Sequence, residues 1–178
     1  LDPRIVIAVL LFSYLVLGFV VLGFNRTPFQ AAITTLSAMV LEIALSYLFR
    51  ERKFFFPLSA MITSFSLSLL LNYSHDYYIL LIPVFFAIGS KYIFTFKGKH
   101  LLNPAQAAVS FSLLFASSLV TSAPSYQWNG IESMGAFIAC MGVFVLLPKV
   151  KRFPLVLSFL FFFTLQTAYR AWLMQHHL

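Results

Sequence analysis

The run IVIAVLLFSYLVLGFVVLGF (5–24) carries no charge and no alternation of polar with apolar side chains, and it constrains the chain more than any other feature. A helix that crosses a bilayer needs about 20 mostly apolar residues. A strand of a membrane barrel instead needs segments of about ten with alternating polarity. The run fits the first description and not the second. Further apolar stretches follow at 30–49, 54–72, 77–96, 102–122, 129–147 and 153–173, separated by short clusters of charge. The spacing predicts an all-α fold: a polytopic transmembrane helix bundle of about seven spans, forming one transmembrane domain over 1–178. Composition agrees, because only 10% of the residues are charged against about 25% in a soluble domain. The first run is also longer than the apolar core of a signal peptide and lacks its small-residue cleavage site, so it reads as a true span.

Lys and Arg accumulate in short cytoplasmic loops. Arg4 precedes the first stretch, Arg50, Arg52 and Lys53 follow the second, Lys91, Lys97 and Lys99 close the fourth, and Lys149, Lys151 and Arg152 follow the sixth. Ten of the twelve basic residues thus fall on one side, with Arg26 and Arg170 on the other. The amino end is expected in the cytoplasm, and the net charge of +7 is a signature of topology. It gives no argument for nucleic acid. Two sequons, Asn25-Arg26-Thr27 and Asn72-Tyr73-Ser74, fall on the outer side against the membrane, where modification is not expected.

Glu42 and Lys91 are the two ionisable residues set deepest inside predicted spans. Glu42 is about 12 Å from the inner end of the second span at 1.5 Å per residue, and Lys91 lies about five residues from the inner end of the fourth. Charges at such depth cost on the order of 2.5–3.5 kcal/mol on insertion scales, which a Glu42–Lys91 pair would partly offset. The competing expectation has Lys91 snorkelling to the cytoplasm and Glu42 protonated or facing a polar crevice.

The segment Lys97-Gly98-Lys99-His100-Leu101-Leu102-Asn103-Pro104-Ala105 predicts a helix start at Pro104. Asn is a strong N-cap, and Pro at the first helical position needs no backbone partner. The positive end of the helix, with Lys97 and Lys99 nearby, would suit an anion, a phosphate or a carbonyl-rich ring; an ordinary capped helix after a loop is the simpler alternative. In the third span, Thr63, Ser64, Ser66 and Ser68 suggest close packing and interhelical hydrogen bonds, with a cofactor-lining role as the sharper option. Gly135, Ala139 and Gly142 suggest small-residue packing in the sixth.

Several chemistries are disfavoured. His75, His100, His176 and His177 all lie in loops or at the end, which leaves no mid-membrane pair for haem. Cys140 stands alone, so neither a disulfide framework nor an iron–sulfur ligand set exists. No metal-ligand spacing, phosphate loop or nucleophile elbow occurs.

The stretch IGSKYIFTFKGKHLLNPA (88–105) resembles the signature of the NqrB/RnfD family, membrane subunits of sodium-pumping NADH:quinone oxidoreductase and Rnf complexes. ITSFSLSLLL (62–71) is similar to the family's hydroxyl-bearing helix upstream. DPR (2–4), LGFNRTPFQ (22–30) and SYQWNG (125–130) look closer to smaller RnfD-like proteins, some associated with enediyne biosynthesis. The resemblance implies a bundle of two inverted repeats, electron transfer coupled in full complexes to ion movement, further membrane subunits as partners, and a bacterial inner-membrane location. It also implies flavin. Carried over, Gly98, Lys99, Asn103, Pro104 and Ala105 match the motif near the flavin region, and Thr63 and Ser64 match the hydroxyl pair. Larger members attach FMN to a Thr in a Ser-Gly-Ala-Thr motif that does not occur here, which leaves noncovalent FMN or riboflavin as the cofactor to expect. Smaller relatives continue with another Ser-Gly-Ala segment, so the chain is expected to be incomplete. A small-solute transporter and a structural subunit without cofactor are the rival readings.

Overall fold

The computed structural model describes residues 2–24, 26–49, 56–73, 76–96, 99–122, 140 and 153–176. They fall into two units, Leu1–Ile131 and Glu132–Leu178.

Helix α1 (Pro3–Val20) starts on a cap made by Asp2, whose carboxylate accepts from the Arg4 amide at 2.9 Å. Pro3 takes the first helical position, where no N–H is needed. The chain leaves α1 through Gly23 at φ +60, and the Phe24 amide reaches back to the Gly18 carbonyl at 3.0 Å, a return turned by the left-handed glycine. The Phe24 ring then lies over Gly18, where a Cβ would overlap it.

Helix α2 (Pro28–Phe49) opens with a capping box. The Gln30 amide donates to Thr27 Oγ1 at 3.2 Å and the Thr27 amide to Gln30 Oε1 at 3.1 Å, so each satisfies a donor the helix would leave orphaned. A buried stripe recurs every fourth position, Gln30, Thr34, Ala38, Glu42 and Ser46, with Ala31 beside it. Phe29, Leu36, Val40 and Leu48 point outward. A soluble protein would reverse this arrangement; lipid around the bundle makes it favourable.

Helices α3 (Leu58–Leu70), α4 (Leu81–Ile93, entered through a 3-10 turn at Tyr77–Leu80) and α5 (Pro104–Phe115) are shorter. This corrects the expectation of full-length helices at 54–72, 77–96 and 102–122. Thirteen residues rise about 20 Å, whereas the hydrocarbon core is about 30 Å thick. After α3 the chain continues as strand β1 (Leu71–Tyr73), and after α5 it returns as β4 (Val120–Ser122). The two pair antiparallel, Leu71 opposite Ser122 and Tyr73 opposite Val120. Backbone that has left the helix therefore still finds partners, the condition for non-helical chain at membrane depth. Between α4 and α5 lies a hairpin of β2 (Thr95–Phe96) and β3 (Lys99–His100).

In this unit α3 packs on α1 and α2, and α4 on α2 and α5. Leu67, Leu71, Ile79, Val84, Ile88 and Val120 form the larger apolar cluster, and Leu15, Phe24, Phe65 and Leu69 join α1 to α3. Phe111 stacks against Phe94 and Phe115 to join α4 with α5. The buried Arg26 guanidinium donates to the Leu67 carbonyl at 3.5 Å and to the Leu71 carbonyl. It thus covers the carbonyl end of α3, where positive charge is favoured.

The second unit contains α6 (Phe153–His176), predominantly apolar and exposed along most of its length. Among the described residues three helices, Pro3–Val20, Pro28–Phe49 and Val156–Gln175, are long and apolar enough to cross a membrane, and Leu58–Leu70, Tyr77–Ile93 and Pro104–Phe115 are shorter apolar helices. The fold is an all-α membrane type. Each predicted stretch carries a described helix except 129–147, which lies outside the described residues apart from Cys140.

Candidate functional site

The two charges set deepest in the spans, Glu42 and Lys91, meet. Lys91 Nζ donates to Glu42 Oε2 at 2.6 Å, and the Lys91 side chain is 1% exposed. The ammonium therefore turns into the bundle and does not snorkel to water. Pairing is what makes two such charges tolerable in a low-dielectric interior. A third partner, which hydropathy does not single out, completes the group: Lys91 Nζ also donates to Ser59 Oγ at 3.0 Å, in the first turn of α3. The Tyr92 hydroxyl donates to the Glu42 backbone carbonyl at 3.2 Å. The one signal for Ser59 is its place two residues after Pro57, in the first turn of the neighbouring span. Tyr92 carries no such signal.

The helix start at Pro104 is found. Asn103 is its N-cap, with Oδ1 accepting from the Ala105 amide at 3.1 Å, and the Asn103 carbonyl accepts from Ala107 at 2.9 Å. Pro104 has no N–H. Gln106 is thus the first-turn amide left outside these bonds. The oxygen of the Asn103 carboxamide is engaged and its NH2 lies outside these bonds, and Asn103 is exposed while Ala105 is buried. Lys99 pairs with Phe96 through the backbone of the hairpin; its side chain and all of Gly98 lie outside the described residues.

Thr63 and Ser64 are buried on α3. The Thr63 hydroxyl donates to the Ser59 carbonyl at 2.8 Å. The Ser64 hydroxyl donates to the Met61 carbonyl at 2.8 Å and lies 3.1 Å from Thr35 Oγ1 on α2. Ser64 thus serves the interhelical packing that a hydroxyl-rich membrane helix suggests. The Thr63 hydroxyl bonds within α3 and the Ser64 hydroxyl within α3 and toward α2, whereas Asn103, Pro104 and Ala105 stand together at the start of α5.

What the α5 start offers is donors: the Asn103 NH2, one amide and the positive helix end. That set fits the carbonyl-bearing edge of a planar ring such as a flavin. Among the described residues there is no group of three or more His, Cys, Asp or Glu side chains able to hold a metal ion.

Residues 3–141 match the model of the NQR2, RnfD, RnfE family. A search of curated proteins gives no match, nor does a search of solved structures.

Proposed function

We propose, from the premise that the chain belongs to the NQR2, RnfD, RnfE family and is a membrane subunit of an electron-transport complex, that it is an RnfD-like subunit holding noncovalent FMN or riboflavin against the amino end of α5. The capped helix start at Asn103 and Pro104 supports this reading most directly. Asn103 would donate through its NH2 to a ring carbonyl, and Gln106 would add a backbone donor. The helix dipole would favour the electron-rich form of whatever sits there. Flavin, when bound, supplies the electron transfer; the protein supplies position and electrostatics. The location is the bacterial inner membrane, with the amino end in the cytoplasm and other membrane subunits as neighbours.

The test is an absorbance spectrum of the purified protein near about 450 nm, the flavin band, taken with and without added FMN or riboflavin. Asn103→Asp is the informative variant. It keeps an acceptor for the Ala105 amide, so the cap stands, but it removes the NH2 donor. Flavin affinity should fall while thermal stability holds. A wild-type protein that takes up neither flavin under any redox condition would overturn the assignment, and uptake of a solute into vesicles by flavin-free protein would favour a transporter.

A further inference from the structure

Glu42 grips the end of α4 twice. Its carboxylate accepts from Lys91 and its carbonyl from Tyr92, at 2.6 and 3.2 Å. Consecutive residues of a helix point about 100° apart, so these contacts oppose rotation as well as displacement of the last turn. The same turn carries the next link. Helix α4 ends at Ile93, so the Lys91 carbonyl belongs to its last turn. His100 Nδ1 lies 3.2 Å from it. A carbonyl only accepts, so Nδ1–H is the donor.

His100 is the last residue of the hairpin. It pairs with Thr95, Lys99 pairs with Phe96, and the Leu101 amide donates to the Phe94 carbonyl at 3.0 Å. Three residues further stands Asn103. A continuous set of contacts thus runs from Glu42 on α2, through both ends of Lys91, to His100 and the start of α5. A hairpin of two residue pairs has little stability of its own. Its position must come from such tethers.

We propose that Glu42 is a positioning residue for the α5 seat: through Lys91 and His100 it fixes the hairpin that delivers Asn103. The inference rests on reading that seat as a ligand site. The hairpin's dependence on Glu42 can be measured without any ligand.

The experiment uses the full chain in nanodiscs, in a Cys140→Ser background. A nitroxide is placed at Leu101→Cys, which is 65% exposed, with a control label at Leu36→Cys on the outer face of α2, 62% exposed. Glu42→Gln keeps the side-chain shape but removes the charge. It should sharpen the spectrum at 101 and leave 36 unchanged. His100→Ala leaves the ion pair intact and lies at the surface, so it tests the last link even where the Glu42 variant fails to fold; it should loosen 101 in the same way. Riboflavin titration of the unlabelled proteins should show affinity reduced about tenfold or more in both variants, as expected when a supporting residue of a binding site is lost. Unchanged mobility at 101 in either variant, or equal loosening at 101 and 36, overturns the inference. Wild-type protein that binds no flavin, with the hairpin still loosened in both variants, overturns the proposed seat instead.

Discussion

Arg26 reaches 41 residues along the chain to the Leu67 carbonyl, at 3.5 Å, and so closes the end of α3 from the loop between α1 and α2. Its guanidinium also donates to Leu71, the first residue of β1, and thereby sits where helix gives way to strand. A hydrogen bond to a charged group contributes about 1.5–3 kcal/mol. Arg26→Met should therefore lower stability by about 2 kcal/mol, measured by reversible unfolding in mixed micelles. Arg26→Lys should recover only part of this, because an ammonium lacks the planar fork that reaches two carbonyls. An Arg26→Lys variant as stable as the native protein would contradict the geometry.

Glu42 and Lys91 should behave as one unit toward denaturation. Removing one member of a buried pair strands the other and costs about 3–5 kcal/mol, whereas replacing both by apolar groups is often near neutral. Lys91→Met should accordingly be less stable than Lys91→Met combined with Glu42→Leu. Additive losses in the double variant would show that the charges are not coupled.

The contact between Ser64 and Thr35 joins α3 to α2. Hydrogen bonds between membrane helices average about 0.6 kcal/mol in double-mutant cycles. A cycle of Ser64→Ala and Thr35→Val should return a coupling of that size. A value at zero would assign both hydroxyls to their own helices alone.

Gly18 should not tolerate a methyl group. A Cβ there overlaps the Phe24 ring, and overpacking a filled site costs about 1–3 kcal/mol. Gly18→Ala should destabilise by that amount, and Phe24→Leu should relieve the loss in the double variant.

Topology can be read with an impermeant thiol reagent in the Cys140→Ser background. Leu101→Cys should label only from the cytoplasm, and Tyr77→Cys, which is exposed at the start of the 3-10 turn, only from the other side. The reverse pattern would invert the orientation drawn from the basic residues.

Much of the candidate site is legible in the sequence. Asn103 followed by Pro104 is a local signal, because a cap and a missing N–H act within one turn, and the helix begins there. Glu42 and Lys91 are conspicuous because charge in an apolar span demands a partner, and each is the natural candidate for the other. Ser59, Tyr92 and His100 are not legible in this way. A serine near a proline, a tyrosine and a loop histidine are ordinary until folding brings them to Lys91 and Glu42.

By itself the sequence determined the solvent: runs too apolar for water and too unbroken for a barrel must be helices in lipid, and the spacing of charge marks their ends. Only the tertiary structure decided that α3, α4 and α5 stop short. Hydropathy measures partition of side chains and is blind to whether the backbone beside them is coiled or extended. β1 can be extended because β4, about fifty residues on, supplies its hydrogen bonds, and Arg26 holds the junction of α3 and β1 through the Leu67 and Leu71 carbonyls. Such partners are set by packing between distant segments, which no local pattern of residues encodes.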